Sequence, residues 1–181
     1  MKTLVPGAAA GHDFPHWSHT LQDGRQVAIR PLTADDMEAE RRFIQNLSPR
    51  SRHYRFLGQV SRPSDALLRQ LTQLEYPRQV AFAAVPPGDP AQLAGVSRYS
   101  TDDQGIHCEC AVTVADAWQH QGLGTLLMEH LIEVARSRGV RTMMSIDLAD
   151  NVAMRELARD LGFHARSDPE DRHQVIFELK L

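Results

Sequence analysis

The sequence predicts one α/β domain of the α+β kind, with a mixed, mostly antiparallel central sheet of about six to seven strands flanked by about four helices. Three observations carry this expectation. The length of 181 residues suits one domain with a tail. Three strand-like segments follow one another between residues 79 and 114 with only short turns between them, so they pair antiparallel. From there to the end, helical and strand patterns alternate.

Residues 1–22, MKTLVPGAAAGHDFPHWSHTLQ, show no sustained period and read as an N-terminal tail, which leaves 23–181 as the domain. Gln26 to Arg30 alternates and stops at Pro31, a short strand. Thr33 then caps a helix with Asp35 and Asp36 in its first turn, running to Asn46. Ser48-Pro49-Arg50-Ser51-Arg52 reads as a basic turn, and Ser64 opens a second helix carrying Leu67, Leu68, Leu71 and Leu74. Gln79 to Val85, Gln92 to Tyr99 and Ile106 to Val114 are the three meander strands. Gly124 to Arg138 is an amphipathic helix closed by Gly139, and Arg141 to Leu148 a strand. Asn151 to Leu161 is a helix closed by Gly162, and Val175 to Leu179 a last strand.

Composition excludes several function classes. With 20 Lys plus Arg against 23 Asp plus Glu, the net charge of −3 lacks the broad basic surface that nucleic acid requires. Apolar runs are too short for a membrane span or a secretory leader, so a cytoplasmic protein is expected. Cys108 and Cys110 are the only cysteines; two apart on a strand, they suit neither a disulfide nor a zinc site. His12, His16 and His19 are joined by no carboxylate or thiol at a common ligand spacing, so no metal is expected.

The informative stretch is Gln119-His120-Gln121-Gly122-Leu123-Gly124-Thr125, between a strand and an amphipathic helix. First-turn N–H groups have no helical acceptor and carry the positive end of the helix dipole, while Gly122 and Gly124 let the backbone approach an anion closely. A nucleotide P-loop would need Gly-Lys-Ser/Thr, which is absent, and a dinucleotide fingerprint would need a third glycine where Leu127 stands. Another pyrophosphate-bearing ligand is left.

Gln119-x-x-Gly122-x-Gly124 resembles the Q/R-x-x-G-x-G/A pyrophosphate motif of the GNAT superfamily of N-acetyltransferases, which bind acetyl-CoA. The order of elements around it is also similar, down to Asn151 opening the last helix and the Gly162-Phe163 ending. The likeness extends over Glu109 to Phe163, and more loosely over the strand-helix-helix start. Within the superfamily, Leu47 to Arg52, Glu109-x-Ala111-Val112-x-Val114 and Leu157 to Phe163 are similar to bacterial Pat-type protein lysine acetyltransferases.

The resemblance implies a GNAT-like fold, acetyl-CoA as cosubstrate, and an amine acceptor, either a protein lysine or a small amine. It further implies that the backbone of Val112 and Val114 pairs with the pantetheine arm, that Gln119, His120, Gln121, Gly122, Leu123, Gly124 and Thr125 wrap the pyrophosphate, and that Asn151 holds the arm from the next strand's end. Asn151 equally suits a helix N-cap.

An amine with a pKa of about 10.4 is roughly 0.1% neutral near pH 7.4, so its deprotonation costs about 4 kcal/mol and calls for a base. Glu109 resembles the strand glutamate that serves this role in Pat-type enzymes; an exposed edge glutamate is the plainer reading. His107, on the same face, is the alternative base, and Cys108 or Cys110 as acyl carriers would need a paired histidine and a lowered pKa. Two departures stand out: Gln121 replaces a common basic residue, and Ala158 occupies the place of a tyrosine that protonates the departing thiolate in many members. Arg50, Arg52, His53, Tyr54, Arg55 and Phe56 read either as an acceptor groove or as a solvated basic turn, and Trp118 as a packing anchor. A CoA-sensing module without chemistry remains a third class.

Overall fold

The computed structural model describes residues 14–58, 60 and 62–181. Its framework is an eight-stranded sheet in the order β1-β2-β3-β4-β5-β6-β8-β7. The strands are β1 (Trp17–Thr20), β2 (Gln26–Pro31), β3 (Gln79–Val85), β4 (Gly95–Thr101), β5 (His107–Val114), β6 (Thr142–Leu148), β7 (His164–Ser167) and β8 (Gln174–Lys180). Every neighbouring pair is antiparallel except β5–β6. The helices are α1 (Met37–Asn46), α2 (Pro49–Phe56), α3 (Asp65–Thr72), α4 (Leu123–Ser137) and α5 (Val152–Asp160).

Each face of the sheet has its own core, because successive strand side chains alternate between faces. Val80, Phe82, Ala84, Cys108 and Cys110 bury against α4 residues Leu127, Met128 and Leu131. The intervening Ala81, Ala83, Val85 and Val96 bury against Phe43 and Ile44 of α1 and Leu68 and Leu71 of α3. β3 is buried from Val80 to Val85 on both faces, which explains its unbroken apolar run. Gly95 lets α4 close on β4, since a Cβ there would meet Leu127 Cδ1 at 2.9 Å.

Three elements depart from the sequence reading. β1 lies inside the segment read as a tail to residue 22, because Phe14, Trp17 and Leu21 bury in the first core and Trp17 pairs with Ile29. Residues 1–13, with His12, lie outside the described residues. The basic turn after α1 is the start of α2, capped by Ser48 accepting from Ser51 N–H at 3.1 Å with Pro49 in the first turn. α2 buries no residue completely, so no apolar stripe marked it. β7 is exposed throughout and lacks alternation for the same reason.

Candidate active site

The site follows from one irregularity of the sheet. β5 and β6 pair in parallel only at His107–Thr142, Cys108–Met143 and Glu109–Met144. Beyond these rungs β5 stays on β4 as far as Val114 and β6 stays on β8 as far as Leu148, so the two strands diverge from Glu109 onward. The divergence opens a cleft of about 1170 Å3, with α2 over one side and α4 and α5 on the other.

Strand geometry fixes what β5 presents to this gap. The carbonyl of His107 accepts from Asp102 N–H at 2.9 Å and Ala115 N–H donates to the Ala94 carbonyl at 2.9 Å, so the odd-numbered residues direct their backbone groups to β4. Cys110, Val112 and Val114 therefore turn theirs into the gap. The Val114 carbonyl is met there by Gln119 Nε2 at 3.0 Å.

The glycine loop lies at the open end. His120 and Gly122 are left-handed, with φ of 58° and 83°, which folds the chain tightly into α4. No side chain caps α4, so the N–H groups of Leu123, Gly124 and Thr125 have no helical acceptor and line the cleft with the dipole's positive end. A Cβ on Gly124 would sit 3.5 Å from Leu157 Cδ2 and 3.7 Å from Val114 Cγ2, ordinary contacts, so protein packing does not demand glycine there.

Glu109 stands at the apex of the divergence, exposed and on the cleft wall, while His107 does not line the cleft. The cysteines are buried, and desolvation pushes Cys108 up to about 12 and Cys110 higher still, which suits neither as a nucleophile. Val112, Val114, Gln119, His120, Gly122, Leu123, Gly124, Thr125 and Asn151 all border the cleft. Gln121 does not; its carbonyl instead accepts from Gln22 N–H at 3.3 Å. The Gln119 amide is spent on Val114 and on Ser51 Oγ at 3.3 Å, fixing the loop and not reaching into it. Asn151 caps α5 by accepting from Met154 N–H at 3.2 Å and donates to Asp147 Oδ1 at 3.0 Å, leaving one Nδ2 hydrogen. Trp118 is 8% exposed in the first core with the Arg25 guanidinium 4.0 Å above its ring.

Asp147 borders the cleft with no mark in the sequence, and the basic cluster of α2 supplies further groups. Burial drives Asp147 up to about 6, although hydrogen bonds from Asn151 and from Leu148 N–H oppose the shift. Arg55 of α2 is drawn down to about 10, first by burial and then by the nearby Arg98 charge, while Glu40, Glu109 and Asp147 pull it back. Arg98 is held elsewhere, by Glu40 Oε1 at 3.1 Å and the Leu71 carbonyl at 2.8 Å. Tyr54, also on α2, contributes a phenol to the cleft wall, its oxygen accepting from Arg50 at 3.1 Å and donating to the Asp150 carbonyl at 3.4 Å. Arg50, Tyr54, Arg55 and Phe56 of the basic cluster thus border the cleft, whereas Arg52 bonds to the Gln45 and Leu47 carbonyls.

Comparison with known proteins agrees with this geometry. A model of the Acetyltransferase (GNAT) family matches residues 44–163. The chain is 48% identical over 175 residues to Acetyltransferase PA5475 of Pseudomonas aeruginosa, covering 96% of this chain and 94% of the relative. It is 28% identical over 142 residues to Acetyltransferase Pat of Mycolicibacterium smegmatis, covering 78% of this chain and 42% of that longer protein. Among solved structures, the GNAT domain of S. lividans PAT superposes with a TM-score of 0.84 at 28% identity, over 92% of this chain and 97% of that one. The protein yncA of Salmonella typhimurium, solved with its cofactor acetyl-CoA, shares the fold at a TM-score of 0.66 and 21% identity, over 86% of this chain and 94% of that one.

Proposed function

Because the chain belongs to the GNAT acetyltransferase family, we propose that it moves the acetyl group of acetyl-CoA to a primary amine by direct attack within a ternary complex, with Glu109 as the general base. The observation that carries this reading is the divergence of β5 from β6, which leaves the backbone of Val112 and Val114 facing a cleft that ends at the uncapped turn of α4. An extended pantetheine arm matches the spacing of such strand groups, and a pyrophosphate matches the N–H groups of Leu123, Gly124 and Thr125. The arm then runs toward the apex, where Glu109 stands.

A backbone N–H of β5 at the apex side is suited to polarise the thioester carbonyl and to stabilise the oxyanion that follows attack, a contribution of about 3 kcal/mol in other acyl transfers. Glu109 takes the proton of the incoming ammonium, directly or through one water, and the freed amine attacks the thioester carbon. Collapse of the tetrahedral intermediate expels the CoA thiolate, which takes the second proton from the former ammonium nitrogen to leave the amide and the CoA thiol, and Glu109 returns its own proton to solvent. The CoA thiol has a pKa of ~8.5, so the thiolate is a weak base and leaves without a dedicated acid; the buried methyl of Ala158 supplies none. Acceptors of the protein-lysine kind are supported by the likeness to the two PAT proteins.

Glu109→Gln tests the reading. Turnover with a lysine peptide or a small amine falls by about a hundredfold to ten-thousandfold, the usual share of a positioned base, while calorimetry finds acetyl-CoA affinity unchanged. A variant that transfers acetyl at the parental rate removes Glu109 from the mechanism. Absence of transfer by either form, with CoA binding intact, supports a sensing module.

A further inference from the structure

We propose that Asp116 is a positioning residue that couples the glycine loop to α2, so that acetyl-CoA bound at the loop orders the wall against which the amine acceptor docks. This rests on the cofactor reading above. Asp116 lies between the end of β5 and Gln119, in the short turn leading into the loop. Its Oδ2 accepts from Ser48 N–H at 2.9 Å and its Oδ1 from the Ser51 hydroxyl at 2.8 Å. Ser51 Oγ accepts in turn from Gln119 Nε2, and the same amide reaches the Val114 carbonyl on the β5 edge. One unbroken chain of hydrogen bonds therefore runs from the Asp116 carboxylate, through Ser51 in the first turn of α2 and then Gln119, to the strand proposed to pair with pantetheine.

Two physical points give this chain a purpose beyond local structure. A carboxylate bordering a cleft meant for a diphosphate is electrostatically unfavourable, so its presence asks for a compensating role. The N-terminus of α2 absorbs the charge: burial alone would raise the Asp116 pKa, but the bonds from Ser48 and Ser51 outweigh it and hold the carboxyl below its ordinary range. In addition, α2 spans only Pro49–Phe56 and buries no residue completely; Phe56 alone is partly buried against the second core. A helix so short is marginal without tertiary support, so its placement depends on polar ties of this kind. Those ties begin at the loop, and Tyr54, Arg55 and Phe56 of the same helix form the cleft wall beside Glu109. Whatever holds the loop in one geometry also holds α2.

Hydrogen exchange by mass spectrometry on the full chain, with and without acetyl-CoA, reads this coupling directly. At a hundredfold excess over Kd, amides that exchange only from the unliganded form slow by up to about a hundredfold. In the parent protein both the segment 119–127 and the α2 segment 49–56 slow. In Asp116→Ala the loop still slows on adding acetyl-CoA, whereas the slowing of α2 is reduced, because Ser51 loses the carboxylate that fixes it and only its bond from Gln119 is left. Ser51→Ala, which keeps the charge but breaks the link to Gln119, loses most of the α2 response, and it decides the matter if Asp116→Ala fails to fold by circular dichroism. The inference is overturned if α2 in the parent ignores acetyl-CoA while the loop responds, or if α2 still responds fully in Ser51→Ala. If neither segment slows in the parent, the cofactor reading itself fails and takes the coupling with it.

Discussion

Glu109 and Asp147 are carboxylates on the two strands that diverge, and they sit in different surroundings. Glu109 is exposed at the apex; Asp147 is half-buried near the mouth of α5, where desolvation brings its pKa to about 6 from an ordinary 3.8. A carboxyl that is harder to ionise folded than unfolded weakens the fold wherever it must be ionised. That penalty is absent below the unfolded pKa, grows as pH rises between 3.8 and about 6, and is complete above it. Asp147→Asn, which keeps the acceptor for Leu148 and Asn151 and discards the charge, is therefore expected to be more stable than the parent near pH 8, on the order of 2 kcal/mol, and equal to it near pH 4. Urea unfolding at the two pH values checks this; an equal gain at both would show that packing, not charge, is responsible. The exposure of Glu109 follows from the alternation of its strand with buried Cys108 and Cys110, whereas its part as a base is what the resemblance to Pat-type enzymes implies. The raised pKa of Asp147 carries no mark in the sequence, because it comes from burial in the folded cleft, against which the Asn151 hydrogen bond and the Arg55 charge, 92 residues earlier in the chain, pull only part of the way back.

At the scale of elements, legibility followed burial. β3 and α4 bury most of one stripe or both faces, and their apolar periods placed them within a residue or two. α2 had the opposite profile: its cap and first-turn proline, Ser48-Pro49, were visible, yet the basic residues that follow carry no stripe, and the segment read as a turn. Its importance appears only in the fold, where Ser51 meets a carboxylate 65 residues away. α5 tests the two readings of Asn151 together. Asn151→Ala removes the acceptor of Met154 N–H and the donor to Asp147, and the lost cap costs about 1 kcal/mol in thermal unfolding. If Asn151 also grips the pantetheine arm with its remaining amide hydrogen, acetyl-CoA affinity falls as well; Asn151→Ser, which restores a cap, recovers stability without recovering affinity. Recovery of both assigns the residue to the helix alone.

The whole molecule is a sheet whose regular pairing is interrupted once, and the interruption is the site. Of the seven neighbour relations in the strand order six are antiparallel, and the single parallel one ends after three rungs. The first core gathers Cys108 and Cys110 of β5, Met143 of β6 and Phe177 and Leu179 of β8, while Val96 of β4 joins the second on the opposite face. Sequence patterning reached this architecture in outline, since a meander followed by alternating helices and strands admits few arrangements. It did not reach the edges: β1 and β7 are short, half or fully exposed, and add no periodic signal. Among the described residues no helix is long and apolar enough to cross a membrane.

Calorimetric titration of acetyl-CoA into the parent and into Gly124→Glu bears most directly on the glycine loop as the pyrophosphate site. Gly124 has room for a small side chain on the protein side, so a glutamate there acts chiefly on what occupies the cleft, adding bulk and a negative charge against the pyrophosphate. The parent should bind one acetyl-CoA per chain, competed by CoA and not by NAD, and the variant, still folded, should bind at least about a hundredfold more weakly. Equal affinity in the two proteins, or no binding by the parent up to millimolar acetyl-CoA, would contradict the assignment of the glycine loop and the acetyltransferase mechanism built upon it.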